Sequence, residues 1–146
     1  MCIIVDADRL GIFLSDPIAE DAAPIHKWLK QGWGKLVYST SGKFSTEVGG
    51  PSKRRLAEHS RAGRATAIPA SEFHSDERQL RNNSAVLSND PHVLALARYS
   101  GTRILYTGDG KLMQDFKNKR LIDEPRGKIY SGKKNADLLA RSACLD

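Results

Sequence analysis

The sequence predicts an α/β fold, a mainly parallel sheet with helices on both faces, and three observations predict it. The run Cys2-Ile3-Ile4-Val5 is continuously apolar rather than alternating, the pattern of a strand covered on both sides. Thr102 to Tyr106 repeats that character late in the chain. Between them, apolar residues fall at helical spacing in several segments, giving the order βα(β)ααβα(βα), and short strands separated by helices call for the crossover connections of a parallel sheet. A chain of 146 residues accommodates one domain with a sizeable core.

In order, Cys2–Val5 is the first strand and runs into two acids, Asp6 and Asp8. Arg9–Leu14 reads as a short helical turn, broken by Ser15-Asp16-Pro17. Pro24 suits the first turn of a helix whose apolar face is Ile25, Trp28 and Leu29, ended by Gly32 and Gly34. Leu36–Ser39 is the second strand. Ser41–Gly50 is rich in Gly, Ser and Thr and reads as irregular, with Glu47 its one acid. Pro51-Ser52 opens a basic segment, Lys53–Arg64, whose sizeable apolar residue is Leu56; as a helix it would turn most of its surface to solvent or a partner. Ala65–Ile68 fits a short strand, Ser71–Leu80 a polar helix anchored by Phe73 and Leu80, and Asn82–Asn89 a loop or short strand. Asp90-Pro91 is a strong helix start, and Gly101 a stop. After the Thr102–Tyr106 strand, Thr107-Gly108-Asp109 leads into a helix carrying Leu112, Met113 and Phe116. Lys128–Tyr130 reads as a last strand and Asn135–Cys144 as a last helix, with Leu138 and Leu139 inward.

The chain carries a net charge of +6 and a pI near 9.5, which favours a polyanionic partner such as nucleic acid and is equally compatible with simple solubility. No apolar run reaches transmembrane length, and no leader-like segment precedes the first strand. Two cysteines, Cys2 and Cys144, near opposite ends, are too few for a disulfide framework, and neither has a partner at zinc-finger spacing. The expected location is the cytoplasm, with no membrane association.

Four acids sit where strands end or helices begin: Asp6, Glu47, Asp90 and Asp109. A strand buried on both faces that ends in a carboxylate needs a reason, because an uncompensated buried charge is costly. In open α/β sheets ligands gather outside the carboxyl ends of the strands. A cluster of oxygen donors there suits Mg²⁺ or Mn²⁺, and such an ion can promote hydrolysis of a phosphodiester. Each acid also has a plain structural reading: Asp90 and Asp109 as helix caps, Glu47 as a surface residue, Asp8 as a turn residue or a support to the cluster, Asp115 as a ligand or a solvated group. His26, His59, His74 and His92 show no ligand spacing and read as surface residues.

Three stretches resemble the PIN-domain family. Ile3-Ile4-Val5-Asp6-Ala7-Asp8 is similar to its first strand and first acid, Ser88-Asn89-Asp90-Pro91-His92-Val93-Leu94 to its third acid and helix, and Ile104-Leu105-Tyr106-Thr107-Gly108-Asp109 to the strand and Thr-x-Asp of its fourth. The likeness spans roughly Met1 to Tyr130, and Ser131–Asp146 is unmatched. It implies a single PIN-like domain: a three-layer αβα sandwich with a central, mainly parallel four- to five-stranded sheet. It further implies a Mg²⁺- or Mn²⁺-dependent endoribonuclease acting on single-stranded RNA or RNA loops, of the kind often found as toxins held by an antitoxin partner, some as homodimers. By that resemblance Asp6, Asp90 and Asp109 would hold the metal, Glu47 would complete the catalytic acids, and Asp8 and Thr107 would support them. Arg54, Arg55 and Arg61 are candidates for RNA phosphate contacts, on charge alone.

Two other readings compete. Asp6-x-Asp8 after an apolar strand also resembles haloacid-dehalogenase-like phosphatases, in which Asp6 would be the nucleophile and Asp8 the acid. Against it, Arg9-Leu10 stands where that family has Gly-Thr, and Asp90 would have no role. The other is a non-catalytic PIN-like module that binds RNA or protein.

Overall fold

The structure, a computed structural model, describes residues 2–139. Its elements are β1 (Cys2–Val5), α1 (Ala7–Phe13), α2 (Ala23–Lys30), β2 (Lys35–Ser39), α3 (Gly42–Glu47), α4 (Gly50–Arg61), β3 (Ala65–Ile68), α5 (His74–Arg81), α6 (Pro91–Ser100), β4 (Ile104–Tyr106), α7 (Gly110–Lys117) and β5 (Lys128–Tyr130), with 3₁₀ turns at Ala70–Glu72 and Lys133–Leu139. The strands form one sheet in the order β3-β2-β1-β4-β5, every neighbouring pair parallel.

Both faces are covered, which explains the unbroken apolar runs. Ile3, Val5, Leu36, Tyr38, Ile104, Tyr106 and Tyr130 pack with the buried residues of α1, α2 and α4. The alternate positions Cys2, Ile4, Val37 and Leu105 pack with those of α5, α6 and α7. Successive side chains of a strand point to opposite faces, so each of these residues has an apolar layer to enter. The result is the expected three-layer αβα arrangement.

The chain builds outward from β1 through β2 to β3, then returns to place β4 on the other side of β1. The strand order therefore reverses between β1 and β4, and the crevice beyond their carboxyl ends is where open α/β sheets bind ligands. Asp6 immediately follows β1, and its N–H donates to the Tyr106 carbonyl (2.9 Å), which pins the two strand ends together.

Several local expectations are revised. The first helix begins at Ala7, two residues before the expected Arg9, because the Asp6 carboxylate accepts from the Ala7 N–H and caps it. The stretch expected to be irregular around Glu47 contains α3, anchored by buried Phe44. The Ser71–Leu80 segment divides into a 3₁₀ turn and α5, with Phe73 and Leu80 buried as anticipated. Gly101 ends α6 in the left-handed region (φ 72°), where a residue without Cβ is unstrained. Of the last expected helix, residues up to Leu139 form a 3₁₀ turn with Leu139 buried, and the remainder, with Cys144, lies outside the described residues. Among the described residues no helix is long and apolar enough to cross a membrane.

Candidate metal centre

The site is built on the ends of β1 and β4. Asp6 is 4% exposed, and both its oxygens are engaged: Oδ1 accepts from Ala7 N–H (2.9 Å) and Oδ2 from the Thr107 hydroxyl (2.8 Å). Burial pushes its pKa up to about 6; the neighbouring charges of Asp8 and Asp90 push the same way, and the Thr107 hydrogen bond opposes them. The Thr107 oxygen in turn accepts from Asp109 N–H (3.1 Å). Thr107 thus links the Asp6 carboxylate to the Asp109 backbone.

Asp8 is exposed and accepts from Gly108 N–H (2.9 Å). A Cβ at Gly108 would lie 2.6 Å from the Arg9 guanidinium and 2.8 Å from Asp8 Oδ2, so a larger residue would push these side-chain ends aside. Asp109 caps α7: its Oδ1 accepts from Lys111 N–H (3.0 Å) and Leu112 N–H (3.4 Å). It joins the group through the Thr107 hydroxyl while doing that structural job.

Asp90 behaves differently. It occupies the capping position of α6 but makes no side-chain cap hydrogen bond. Its carboxylate instead faces Lys43, whose Nζ is 3.2 Å from Asp90 Oδ1 and 3.7 Å from Glu47 Oε1, and also donates to the Asn89 carbonyl. Lys43 and Glu47 share one side of α3 because they are four residues apart. Partial burial and the charges of Asp90 and Asp8 raise the Glu47 pKa, against the pull of Lys43. Asp6, Asp8, Glu47 and Asp90, from three separated parts of the chain, therefore share one electrostatic neighbourhood at the carboxyl edge of the sheet.

The second residue of α6, His92, belongs here too. It is not on the surface as expected: it is 3% exposed, and burial lowers its pKa to about 4. Neither ring nitrogen has a hydrogen-bond partner. Leaving a buried polar atom unpaired costs about 1–3 kcal/mol. One donor atom each from Glu47, Asp90 and His92 lie within 4.8 Å of one another, the one such group among the described residues. Asp6 and Asp109, expected as ligands with Asp90, are not members of that triplet.

The loop before Asp90 is held from α7. Asp115, expected to bind metal or face water, is 1% exposed and accepts from Leu87 N–H and Ser88 N–H (2.9 Å each). Beside the carboxylates a cavity of about 440 Å³ is lined by Lys43, Arg81, Val86, Ser88, Asn89 and Pro91.

The proposed phosphate contacts on α4, Arg54, Arg55 and Arg61, are exposed, and Arg55 is turned to another part of the surface. Arg55 donates to the Leu14 carbonyl and lines a different cavity, of about 420 Å³, with Lys30, His26, His59 and Arg64. That cavity reaches the amino edge of the sheet, where the Arg64 carbonyl accepts from Leu36 N–H at the entry to β2 and β3. His26 is likewise buried, not on the surface; it stacks on Phe13 at 4.4 Å and its Nε2–H donates to the Phe13 carbonyl (2.6 Å).

Lys43 and His92 were missed in the sequence. Their available signals were the Lys43/Glu47 helical spacing, hidden by reading that stretch as irregular, and the Asp90-x-His92 pair at a helix start. No protein-family model matches the chain, and no curated protein and no solved structure is significantly similar to it.

Proposed function

We propose that this chain is a PIN-like endoribonuclease that hydrolyses single-stranded RNA with a divalent metal ion, Mg²⁺ or Mn²⁺. The observation that carries the reading is the convergence of Asp6, Glu47 and Asp90 at the β1/β4 crevice, where burial and the Asp90 charge both raise the pKa of Asp6 and of Glu47. Like charges gathered this way call for a cation, and Lys43 Nζ stands between two of them.

The residues fit a metal. Glu47, Asp90 and His92 offer three donor atoms within 4.8 Å, and the His92 nitrogens lack any other partner. A divalent ion held there would supply Lewis-acid polarisation of a phosphoryl oxygen and offset the clustered negative charge. Thr107 and the Ala7 amide fix the orientation of Asp6. Lys43 and Arg81 line the adjoining cavity and provide positive charge for RNA phosphates on the same face as the acids. Arg55, on α4, lines a different cavity.

The test is incubation of purified protein with mixed single-stranded RNA, with Mn²⁺, with Mg²⁺ and with EDTA, alongside Asp90→Asn. Cleavage that requires metal and falls at least a hundredfold in the variant is the expected result. Equal cutting by the variant, or cutting undiminished by EDTA, would overturn the proposal.

A further inference from the structure

We infer that His92 is itself a metal ligand, so that this centre prefers first-row transition ions, Zn²⁺ and Co²⁺ ahead of Mn²⁺, over Mg²⁺. The inference rests on the metal-dependent reading above and goes beyond it by making the imidazole bond the feature that decides which ion the site prefers.

Two independent observations carry it. The first is the imidazole: it is 3% exposed, and both nitrogens are without a hydrogen-bond partner. Buried histidines ordinarily pair at least one ring nitrogen with a protein group, as His26 does with the Phe13 carbonyl. His92 has a donor or lone pair with nothing to meet, and one of its ring nitrogens lies within 4.8 Å of a carboxylate oxygen of both Glu47 and Asp90. Three ligands bonded to one ion at about 2.1 Å lie roughly 3.0–3.6 Å from one another, so these side chains would draw in by about 1 Å or more to close on it. The second observation is that the carboxylate pair already gathers a cation, with the Lys43 ammonium 3.2 Å from Asp90 and 3.7 Å from Glu47.

The chemistry of the donors then sets the preference. Mg²⁺ keeps to oxygen ligands and sheds water reluctantly, whereas imidazole suits the later transition ions. Two carboxylates and one imidazole, with further positions left for water, form a borderline donor set. Position matters as well: Pro91 and His92 open α6, so Asp90 and His92 are delivered by one chain segment while Glu47 arrives from the end of α3.

The test uses the full chain stripped of metal with a chelator. Binding of Zn²⁺, Co²⁺, Mn²⁺ and Mg²⁺ is measured by calorimetry for the wild type and for His92→Gln. The expected result is tightest binding of Zn²⁺ and Co²⁺, at least tenfold weaker binding of both in His92→Gln, and a change of less than about threefold for Mg²⁺. Because a buried substitution can disturb folding, the imidazole nitrogens of wild-type protein are also followed by NMR during Zn²⁺ titration. A large shift of one His92 nitrogen at one equivalent is expected. Metal binding and RNA cleavage with the His92 nitrogens unmoved would overturn this inference and leave the nuclease reading standing. Absence of any metal binding, with RNA uncut, would overturn both.

Discussion

Replacing Asp6 with asparagine is expected to stabilise the metal-free chain at neutral pH, an unusual outcome for a change at a buried polar residue. The carboxyl pKa stands at about 6 in the folded protein against an ordinary value near 3.8, with burial the chief cause. Below pH 3.8 the group is protonated both folded and unfolded and contributes no difference. Between pH 3.8 and 6 the folded chain holds more protons than the unfolded chain, so stability falls as pH rises. Above pH 6 the full penalty persists; at 1.36 kcal/mol per pH unit it is about 3 kcal/mol. Asparagine removes the charge and can still accept from Ala7 N–H, but it offers Thr107 a worse partner than a carboxylate, which gives back about 1 kcal/mol. The net gain is about 2 kcal/mol, or roughly 5–8 °C in Tm for a chain of this size. The assay is thermal unfolding of both proteins in EDTA at pH 7.5 and pH 4. The variant should gain at pH 7.5 and show little or no gain at pH 4. An equal difference at both pH values, or a loss at pH 7.5, would refute the assignment of Asp6 as a carboxylate held against its burial.

Two further outcomes are expected. Thr107→Val leaves Asp6 Oδ2 and Asp109 N–H without their partner, and should cost about 1–3 kcal/mol in urea unfolding while lowering RNA cleavage. Lys43→Gln removes the ammonium that a metal ion must displace from Asp90 and Glu47; metal affinity measured by calorimetry should rise by up to about fivefold, in line with the modest worth of a partly exposed ion pair.

The elements easiest to anticipate were those whose sequence matches their environment locally. β1 reads as a doubly covered strand because each of its four residues does enter a core layer. α6 reads from Asp90-Pro91 at its start to Gly101 at its end, and β3 falls on the expected four residues. The misreadings share a cause, which is that their partners are distant in sequence. α3 lacks a side-chain cap, since the Ser41 hydroxyl instead accepts from Ala70 N–H. Only its tertiary contacts, with Phe44 in the core, make the segment a helix. The capping expectation for Asp90 failed because Lys43, 47 residues earlier, takes the carboxylate. His92 is flanked by helix-starting and core residues, and the Asp90-x-His92 spacing does not by itself distinguish an imidazole packed there from one turned to solvent. Asp115 sits between Gln114 and Phe116 on its helix, and two loop amides hold its carboxylate in the interior.

That carboxylate has a consequence for portability. Asp90 hangs from a loop whose backbone is gripped by a residue on another helix, so its placement is dictated by how α6 and α7 pack and not by stiffness of the loop itself. Transplanting residues 86–97 into a foreign scaffold would carry the donor atoms across and leave behind what aims them. Any attempt to rebuild this centre elsewhere has to bring α7 along.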